Sequence, residues 1–168
     1  MTIKHIYIVG FMGSGKSTIG PILASELDRP FHDLDIMIEK NQQSTITQIF
    51  ESKGEAFFRK LESRFLLETQ QLTPCVISLG GGTFIDDSNR NFILKNGVSI
   101  WLKASIDLIK TRCKETTHRP LAQDPIILES LLHSREKHYQ LANIHIDIQS
   151  KSPKQISQEI ITRLDKSL

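Results

Sequence analysis

The feature that most constrains this chain is a glycine-rich stretch near its start, Gly10-Phe11-Met12-Gly13-Ser14-Gly15-Lys16-Ser17. It matches the pattern G-x-x-x-x-G-K-[ST], and it lies between an apolar, β-branched run at 3–9 and a helical pattern at 16–27. The glycines let the backbone curl so that successive N–H groups point at phosphate oxygens, and the helix N-terminus adds its positive end. The sequence therefore predicts a phosphate-binding loop between a strand and a helix.

Two side chains of this loop are expected to act on a bound nucleotide. Lys16 is predicted to reach the β- and γ-phosphates of ATP, and the Ser17 hydroxyl is predicted to ligate Mg²⁺. The alternative is a glycine-rich turn with a solvated lysine, which the strand and helix on either side disfavour. The predicted ATP-binding residues of the loop are Gly13, Ser14, Gly15, Lys16, Ser17 and Thr18.

Two other nucleotide-binding classes are excluded by missing residues. A dinucleotide-binding loop needs a third glycine, and Thr18 stands at that position. A GTPase needs the strings D-x-x-G and N-K-x-D, and neither occurs in the sequence. What remains is an ATP-dependent enzyme, and the length of 168 residues is typical of small-molecule and nucleotide kinases.

Strand and helix patterns alternate along the whole chain, and no repeat, low-complexity tract or linker divides it, so we expect a single domain over 1–168. Strands are predicted at 3–9, 31–33, 76–79, 98–103 and 144–148. Helices are predicted at 16–27, from 35, from 47, from 55 to about 71, at 88–95, after Ser105 as N-cap, at 126–142 and after Pro153. This pattern predicts an α/β fold whose mostly parallel sheet is covered on both faces, with ligands at the carboxyl ends of the strands.

The charge and the cysteine content argue against several kinds of partner. Twenty-one basic and nineteen acidic residues give a net charge of +2, so we expect no nucleic-acid or membrane partner. The longest apolar run, at 6–9, is far too short for a membrane span. Cys75 and Cys113 are predicted to be reduced thiols, and the histidines lack metal-ligand spacing. We therefore expect a cytosolic monomer.

Two carboxylates follow the second predicted strand, in Asp33-Leu34-Asp35. In an extended segment, the single intervening residue would turn both carboxylates to the same face. One could then hold a Mg²⁺-bound water while the other accepts a hydrogen bond from a substrate hydroxyl. The alternative, that the pair caps the next helix, stays open at this point.

An acidic and a basic residue lie four apart in Gly54-Glu55-Ala56-Phe57-Phe58-Arg59, at the start of a predicted helix. An ion pair between Glu55 and Arg59 would hold the guanidinium in one orientation, as bidentate recognition of a carboxylate or phosphate requires. The alternative is an ordinary solvated pair over a phenylalanine core.

Three consecutive glycines, Gly80-Gly81-Gly82, follow the strand predicted at 76–79. Glycines in line are entropically unfavourable, so close approach of the backbone to a ligand is one reason for them, and a flexible loop is the alternative. The strand carries Ser78 and no carboxylate where a Walker B acid is common. Mg²⁺ is therefore expected to depend on Ser17 and, through water, on Asp33.

Two further arginines lie in the last third of the chain. Arg119-Pro120-Leu121 belongs to a polar segment at 114–125 with two prolines, which predicts a mobile lid. An arginine on such a lid could neutralise a transferring phosphoryl group. Arg135, four residues before Tyr139 on the next helix, could join Arg59 around an anionic substrate. For each arginine the alternative is a solvated surface charge.

Taken in order, these motifs make the sequence similar to the shikimate kinase family, the small P-loop kinases of the nucleoside-monophosphate-kinase type. The resemblance covers nearly the whole chain and rests on the loop at 10–17, Asp33-x-Asp35, Gly54-Glu55-x-x-Phe58-Arg59, Ser78-Leu79-Gly80-Gly81-Gly82, Arg119-Pro120-Leu121 and Arg135-x-x-x-Tyr139. The sequence departs from the family at Leu34 and at Ala122-Gln123, and neither departure removes a group that carries chemistry.

The resemblance implies a fold and a reaction. The implied fold is a three-layer P-loop kinase fold with a five-stranded parallel sheet in order 2-3-1-4-5, an acceptor-binding region near 33–61 and a lid near 114–125. The implied reaction transfers the γ-phosphoryl group of Mg·ATP to the 3-hydroxyl of shikimate, in the pathway to aromatic amino acids. The rival kinase is a gluconate kinase, and the rival of another class is a nucleotide-binding module without turnover.

The family's functional residues carry over onto matching positions of this sequence. The implied catalytic residues are Lys16, Asp35 and Arg119. The implied shikimate contacts are Asp35, Arg59, Gly80, Gly81, Gly82 and Arg135, with the carboxylate on the two arginines. Arg119 would lie over the phosphates, Arg112 and Pro153 on two sides of the adenine, and Asp33 would hold Mg²⁺ through water.

Overall fold

The central sheet contains five short strands in the part of the chain that the structure, a computed structural model, describes, namely residues 5–114 and 124–166. They are β1 (His5–Val9), β2 (Phe31–Asp33), β3 (Val76–Ser78), β4 (Gly97–Lys103) and β5 (Ile144–Asp147). All neighbouring pairs are parallel, and the order is β2-β3-β1-β4-β5. The predicted fold class and strand order are confirmed.

Helices connect these strands and cover the sheet, because parallel neighbours need long crossover connections. Within the described residues they are α1 (Lys16–Glu26), α2 (Leu34–Gln42), α3 (Ile46–Glu68), α4 (Asp87–Asn96), α5 (Ile106–Lys114), α6 (Pro125–Tyr139) and α7 (Pro153–Lys166). Short 3₁₀ turns occupy Thr69–Gln71 and Thr83–Ile85. Among the helices of these described segments, none has the length and apolar character to cross a membrane.

Several helices begin at side chains that satisfy their first N–H groups. Thr45 and Gln48 exchange side-chain-to-backbone hydrogen bonds in a capping box at the start of α3. The predicted cap at Ser105 is confirmed, since its hydroxyl accepts from the N–H of Leu108. Asp124 accepts from two N–H groups of α6, so the described chain resumes at a well-defined helix start.

Helix α3 contains a break at Gly54, where φ is 80° and ψ is 168°. The sequence predicts two helical segments, from 47 and from 55, and the structure joins them end to end across this residue. Glycine adopts this conformation without the steric cost that other residues meet there. The second half of α3 therefore takes its own direction, and Arg59 lies one turn into it.

Alternate residues of β1 enter two separate cores, because successive side chains of a strand point to opposite faces. Ile6 and Ile8 pack with apolar residues of α1 and α7 on one face. Tyr7 and Val9 pack with residues of α2 to α6 on the other face. Both faces of the sheet are thus covered, which leaves the loops at the strand ends as the surfaces open to ligands.

Both cysteines are buried free thiols, in agreement with the prediction that they are reduced. The Sγ atom of Cys75 lies 3.3 Å from Nδ1 of His5. Burial raises the pKa of the Cys75 thiol to about 11. Since the thiolate is the reactive form, this cysteine is a packing residue.

Candidate active site

The loops that follow β1, β2 and β3 meet at one edge of the sheet. These strands are parallel neighbours, so their carboxyl ends open toward the same side. Asp33 ends β2, the phosphate-binding loop follows β1 from Gly10, and the glycine strip, residues 80–82, lies beyond β3. The fold therefore brings together motifs that lie far apart in the sequence.

The phosphate-binding loop lies between β1 and α1, as predicted. Gly13 and Gly15 have φ values of 75° and 90°, and Gly15 is the N-cap of α1. The ammonium group of Lys16 donates to the carbonyl oxygens of Gly10 at 2.8 Å and Phe11 at 3.0 Å. The lysine is thereby held across the loop whose N–H groups are expected to bind phosphate.

A cavity of about 380 Å³ opens beside this loop. Its wall includes the predicted ATP-binding residues Gly13, Gly15, Lys16, Ser17, Thr18, Arg112 and Pro153. It also includes residues that the sequence did not single out, namely Ile19, Cys113, Lys151 and Ile156. Ser14 differs from its neighbours, since it is fully buried and its hydroxyl has no hydrogen-bond partner among the described residues. Its side chain therefore contributes nothing to the cavity wall.

Two cationic side chains of the cavity wall are held by other residues of the protein. From α5, Nη1 of Arg112 donates to the carbonyl oxygen of Gly13 at 2.8 Å. Nζ of Lys151, before α7, lies 2.6 Å from Oε2 of Glu159 and donates to the carbonyl oxygen of Asp147 at 2.8 Å. No local pattern marks Lys151, because only the tertiary fold brings the β5–α7 connection to the phosphate-binding loop.

Asp33 caps a helix and also faces the loop. Its Oδ1 accepts from the N–H groups of Asp35 at 3.0 Å and Ile36 at 3.3 Å, and its Oδ2 lies 3.4 Å from Oγ of Ser17. The interpretation of Asp33-Leu34-Asp35 as an extended segment is wrong, because Asp35 lies in the first turn of α2. The capping alternative describes Asp33. The fold nevertheless brings together a hydroxyl and a carboxylate, which are ligands that Mg²⁺ accepts.

Asp35 presents a carboxylate with one oxygen that no described residue supports by a hydrogen bond. Its Oδ1 is buried and has no hydrogen-bond partner in the described part of the chain. The pKa of Asp35 is raised to about 6, first by burial and then by the charges of Asp33 and Glu62, while Lys16 opposes the shift. A carboxyl group that exchanges its proton near neutral pH is suited to general base catalysis.

Arg59 is held by two carboxylates of α3. The predicted pair with Glu55 is present at 3.2 Å, on the exposed side. A second pair, at 2.8 Å, joins Nη1 of Arg59 to Oε2 of Glu62, whose side chain is 1% exposed. Oε1 of Glu62 accepts from the Thr83 hydroxyl at 2.6 Å. The sequence reasoning missed Glu62, although its i,i+3 spacing from Arg59 was visible.

The glycine strip has no room for side chains. A Cβ on its first residue would lie 2.8 Å from Oε1 of Glu62 and 2.9 Å from Oδ1 of Asp35. A Cβ on the second would lie 3.1 Å from Nη1 of Arg135, and one on the third would overlap the guanidinium of Arg59. The structure thus accounts for the three glycines by the close approach of charged side chains from three helices.

Helix α6 closes the site on the side opposite α3. Oη of Tyr139 donates to the carbonyl oxygen of Gly81 at 2.5 Å, and burial raises the pKa of Tyr139 to about 12, so the donor keeps its proton. The guanidinium of Arg135 lies over the ring of Phe11, 5.6 Å from its centroid. Arg135 and Arg59 therefore flank neighbouring residues of the glycine strip.

Arg119, Pro120 and Leu121 lie outside the described residues, as does most of the predicted lid. The proposed place of Arg119 over the phosphates stays a prediction.

A family model described as shikimate kinase matches residues 12–165. The chain belongs to the shikimate kinase family. A shikimate kinase of Sulfurihydrogenibium sp. (strain YO3AOP1) is 42% identical, over 98% of this chain and 99% of that one. A shikimate kinase of Aquifex aeolicus (strain VF5) is 37% identical, over 96% of each chain. The predicted family is confirmed, and with it the prediction of a phosphotransferase.

Solved structures give the same result. The shikimate kinase of Acinetobacter baumannii, determined in complex with shikimate, has a TM-score of 0.93 and 33% identity, covering 99% of this chain and 95% of that one. A gluconokinase of Sinorhizobium meliloti 1021 has a TM-score of 0.65 and 15% identity, covering 97% of this chain and 92% of that one. The likeness to the gluconokinase shows the fold alone.

The two carboxylates that hold Arg59 are expected to differ in their effect on stability. Glu62→Gln removes the charge from a buried pair and should lower the free energy of unfolding by about 1–3 kcal/mol. The matched change Glu55→Gln acts on an exposed pair and should cost less than about 1 kcal/mol. Urea unfolding at neutral pH measures both. Equal losses would show that the burial of Glu62 does not strengthen its pairing.

The raised pKa of Asp35 predicts a gain in stability when its charge is removed. Its folded pKa of about 6 exceeds the ordinary value of 3.8 for this side chain, so ionisation of Asp35 weakens folding as the pH rises through this range. Asp35→Asn should therefore have a free energy of unfolding higher than that of the wild type near pH ~8, by on the order of 1–3 kcal/mol, and a correspondingly higher Tm. The gain should vanish below pH ~4.

Thermal unfolding across this pH range tests the prediction, with the exposed Asp107→Asn as control. A variant that is no more stable than the wild type near pH ~8 would contradict it.

Proposed function

We propose that the protein transfers the γ-phosphoryl group of ATP to the 3-hydroxyl of shikimate. Its membership of the shikimate kinase family supports this reaction. The observation that carries the proposal is the convergence of Asp35, Arg59 and Arg135 on the glycine strip, beside the phosphate-binding loop. Such a pocket offers two cations to a carboxylate and one base to a hydroxyl.

The acceptor is proposed to bind through its carboxylate and its ring hydroxyls. Arg59 and Arg135 would bind the carboxylate, and Glu62 and Glu55 hold the Arg59 guanidinium in a fixed orientation for bidentate contact. Asp35 and the backbone of the glycine strip would bind the hydroxyls. Because the strip lacks side chains, its N–H groups are proposed to reach the hydroxyls, while its carbonyl groups accept from Thr83, Tyr139 and Ile85.

The nucleotide is proposed to bind along the cavity beside the phosphate-binding loop. The loop backbone, with Lys16 and Thr18, would contact the phosphates, and Arg112 and Pro153 would border the adenine. Lys16 donates to loop carbonyls in the structure, and a phosphate offers it stronger, charged acceptors. Arg119 is proposed to join them from the lid.

A Mg²⁺ ion is proposed at the mouth of this cavity. The Ser17 hydroxyl and the Asp33 carboxylate fit it, since both are oxygen donors, they lie side by side, and Mg²⁺ keeps several waters. In the described residues no group of three or more His, Cys, Asp or Glu side chains could hold a metal, so the remaining ligands would be phosphate and water. When bound, the ion supplies positive charge to the phosphate oxygens.

The chemistry depends on positioning and charge. Asp35 would accept a hydrogen bond from the 3-hydroxyl, aim it at the γ-phosphorus and take its proton, which a pKa of about 6 permits. Lys16 and Arg119 would offset the charge on the phosphoryl oxygens in a loose transition state. We further propose a cytosolic monomer, as expected from the sequence.

The reaction is tested by coupled detection of ADP release. Shikimate is expected to stimulate release from Mg·ATP many-fold, and mass spectrometry is expected to find one added phosphate on shikimate. Gluconate is the matched control and should give no stimulation. Stimulation by gluconate would favour the rival kinase. Tight ATP binding without turnover on either compound would favour a nucleotide-binding module.

The two arginines of the acceptor pocket are expected to act on shikimate and not on ATP. Arg59→Met and Arg135→Met should each raise the KM for shikimate by at least about tenfold, because a buried carboxylate loses a charged partner. The KM for ATP should change by less than about twofold. Steady-state kinetics with each substrate varied separately make the measurement. Equal increases in both constants would contradict the assignment.

A further inference from the structure

Arg90 is a largely buried arginine beside the acceptor pocket, and the proposed mechanism gives it no role. Its side chain is 12% exposed. Nη1 donates to the carbonyl oxygens of Phe84 at 3.3 Å and Ile85 at 3.2 Å, and it lies 3.4 Å from Nδ1 of His138. Nη2 contacts the carboxylate of Asp87. One guanidinium thus joins α4, the 3₁₀ turn and α6.

The two carbonyl groups belong to the turn that continues the glycine strip. The N–H of Thr83 donates to the carbonyl of Gly80, and that of Ile85 donates to the carbonyl of Gly82. The last carbonyls of such a turn have no partner within it. Phe84 is fully buried, so water cannot replace the contact to its carbonyl. Arg90 therefore satisfies groups that would otherwise be unpaired.

The third contact of Arg90 lies on the helix that forms the other wall of the pocket. His138 precedes Tyr139, which donates to Gly81, and it lies three residues after Arg135 on α6. Nδ1 of His138 accepts from Arg90 when the ring proton is on Nε2. The contact fixes α6 relative to the turn, and hence the Arg135 guanidinium relative to the glycine strip.

We propose that Arg90 is a positioning residue of the acceptor pocket, which sets the distance between the glycine strip and α6 by joining the Phe84 and Ile85 carbonyls to His138. The inference rests on the proposed function for the identity of the acceptor. A planar guanidinium presents several donors in a fixed geometry, so it can serve these acceptors at once, whereas a lysine ammonium cannot cover them in the same plane.

The pair with Asp87 is a local alternative explanation for Arg90. Asp87 lies three residues earlier on α4, and its side chain is 78% exposed. Exposed pairs of this kind contribute little to stability. Asp87→Asn removes this pair and leaves the contacts to the turn and to His138, so it separates the two explanations.

The kinetic test compares Arg90→Met with the wild type, with shikimate and ATP varied separately. We expect the KM of Arg90→Met for shikimate to rise about tenfold or more and its KM for ATP to stay within about twofold. Arg90→Lys should show a smaller rise in the KM for shikimate. Arg64→Met is the matched control, because Arg64 forms an exposed ion pair with Glu68 and its side chain is 63% exposed. The KM values of Arg64→Met and Asp87→Asn for both substrates should stay within about twofold of those of the wild type.

Hydrogen exchange without substrate gives a second readout that does not depend on the reaction. In Arg90→Met the amides of Thr83 and Ile85 should exchange at least about tenfold faster, and those of β1 should keep their rate. Hydrogen exchange tests the Arg90 assignment even if the wild type fails to phosphorylate shikimate. Failure of the proposed function and failure of the Arg90 assignment are therefore distinguishable.

Three results would overturn the assignment. They are a folded Arg90→Met variant with an unchanged KM for shikimate, equal increases for both substrates, or unchanged exchange at Thr83 and Ile85. If Arg90→Met does not fold, His138→Leu and His138→Asn take its place, because the asparagine carboxamide keeps an acceptor near Nδ1. The leucine variant should then raise the KM for shikimate and the asparagine variant should not, and equal effects would reject the proposal.

Discussion

The site depends on the close approach of charged side chains to a bare backbone. The glycine strip at 80–82 lies against Asp35 and Glu62 at its first residue, Arg135 at its second and Arg59 at its third, and no Cβ fits between. These side chains come from three helices, with Asp35 on α2, Arg59 and Glu62 on α3, and Arg135 on α6. The three helices must therefore pack on one face of the sheet so that a side chain from each reaches the glycine strip. Any shift of one helix would open a gap at the strip or create a collision there.

The charges around the strip leave one carboxylate in an unfavourable state that a hydrogen-bond donor would relieve. Asp35 ionises against burial and against the charges of Asp33 and Glu62. Arg59 is already paired with two carboxylates, and Arg135 lies over an aromatic ring. In the proposed function, a substrate hydroxyl would supply the donor that Asp35 lacks among the described residues, and a substrate carboxylate would give the two arginines a further partner. Such incomplete pairing lowers stability and favours function, as is common where a site must bind and react.

The sequence predicted those parts of the site whose chemistry depends on neighbours in the chain. The phosphate-binding loop, the pair of Glu55 with Arg59 and the strand order follow from local spacing or from a family resemblance that local motifs carry. Glu62, Lys151 and Arg90 were missed, because their importance arises from partners 8 to 48 residues away, such as Thr83, Glu159 and His138. The extended interpretation of Asp33-Leu34-Asp35 was wrong because a helix cap competed with the strand. A capping aspartate and an extended aspartate pair look alike in the sequence, and Leu34 enters the core in either case.

The phosphate-binding loop and the acceptor pocket lie next to each other, which is what direct phosphoryl transfer requires. The carbonyl oxygen of Gly10 accepts from Lys16, and a Cβ at Gly81 would lie 3.7 Å from that same oxygen. Phe11, the next residue of the loop, lies beneath the guanidinium of Arg135. The phosphate-binding loop and the acceptor pocket thus approach each other through backbone and ring atoms. Direct transfer between bound substrates requires such closeness, since misplacement by about 1 Å can cost about a hundredfold in rate. The closeness of the loop to the acceptor pocket therefore supplies part of the positioning that the proposed reaction needs.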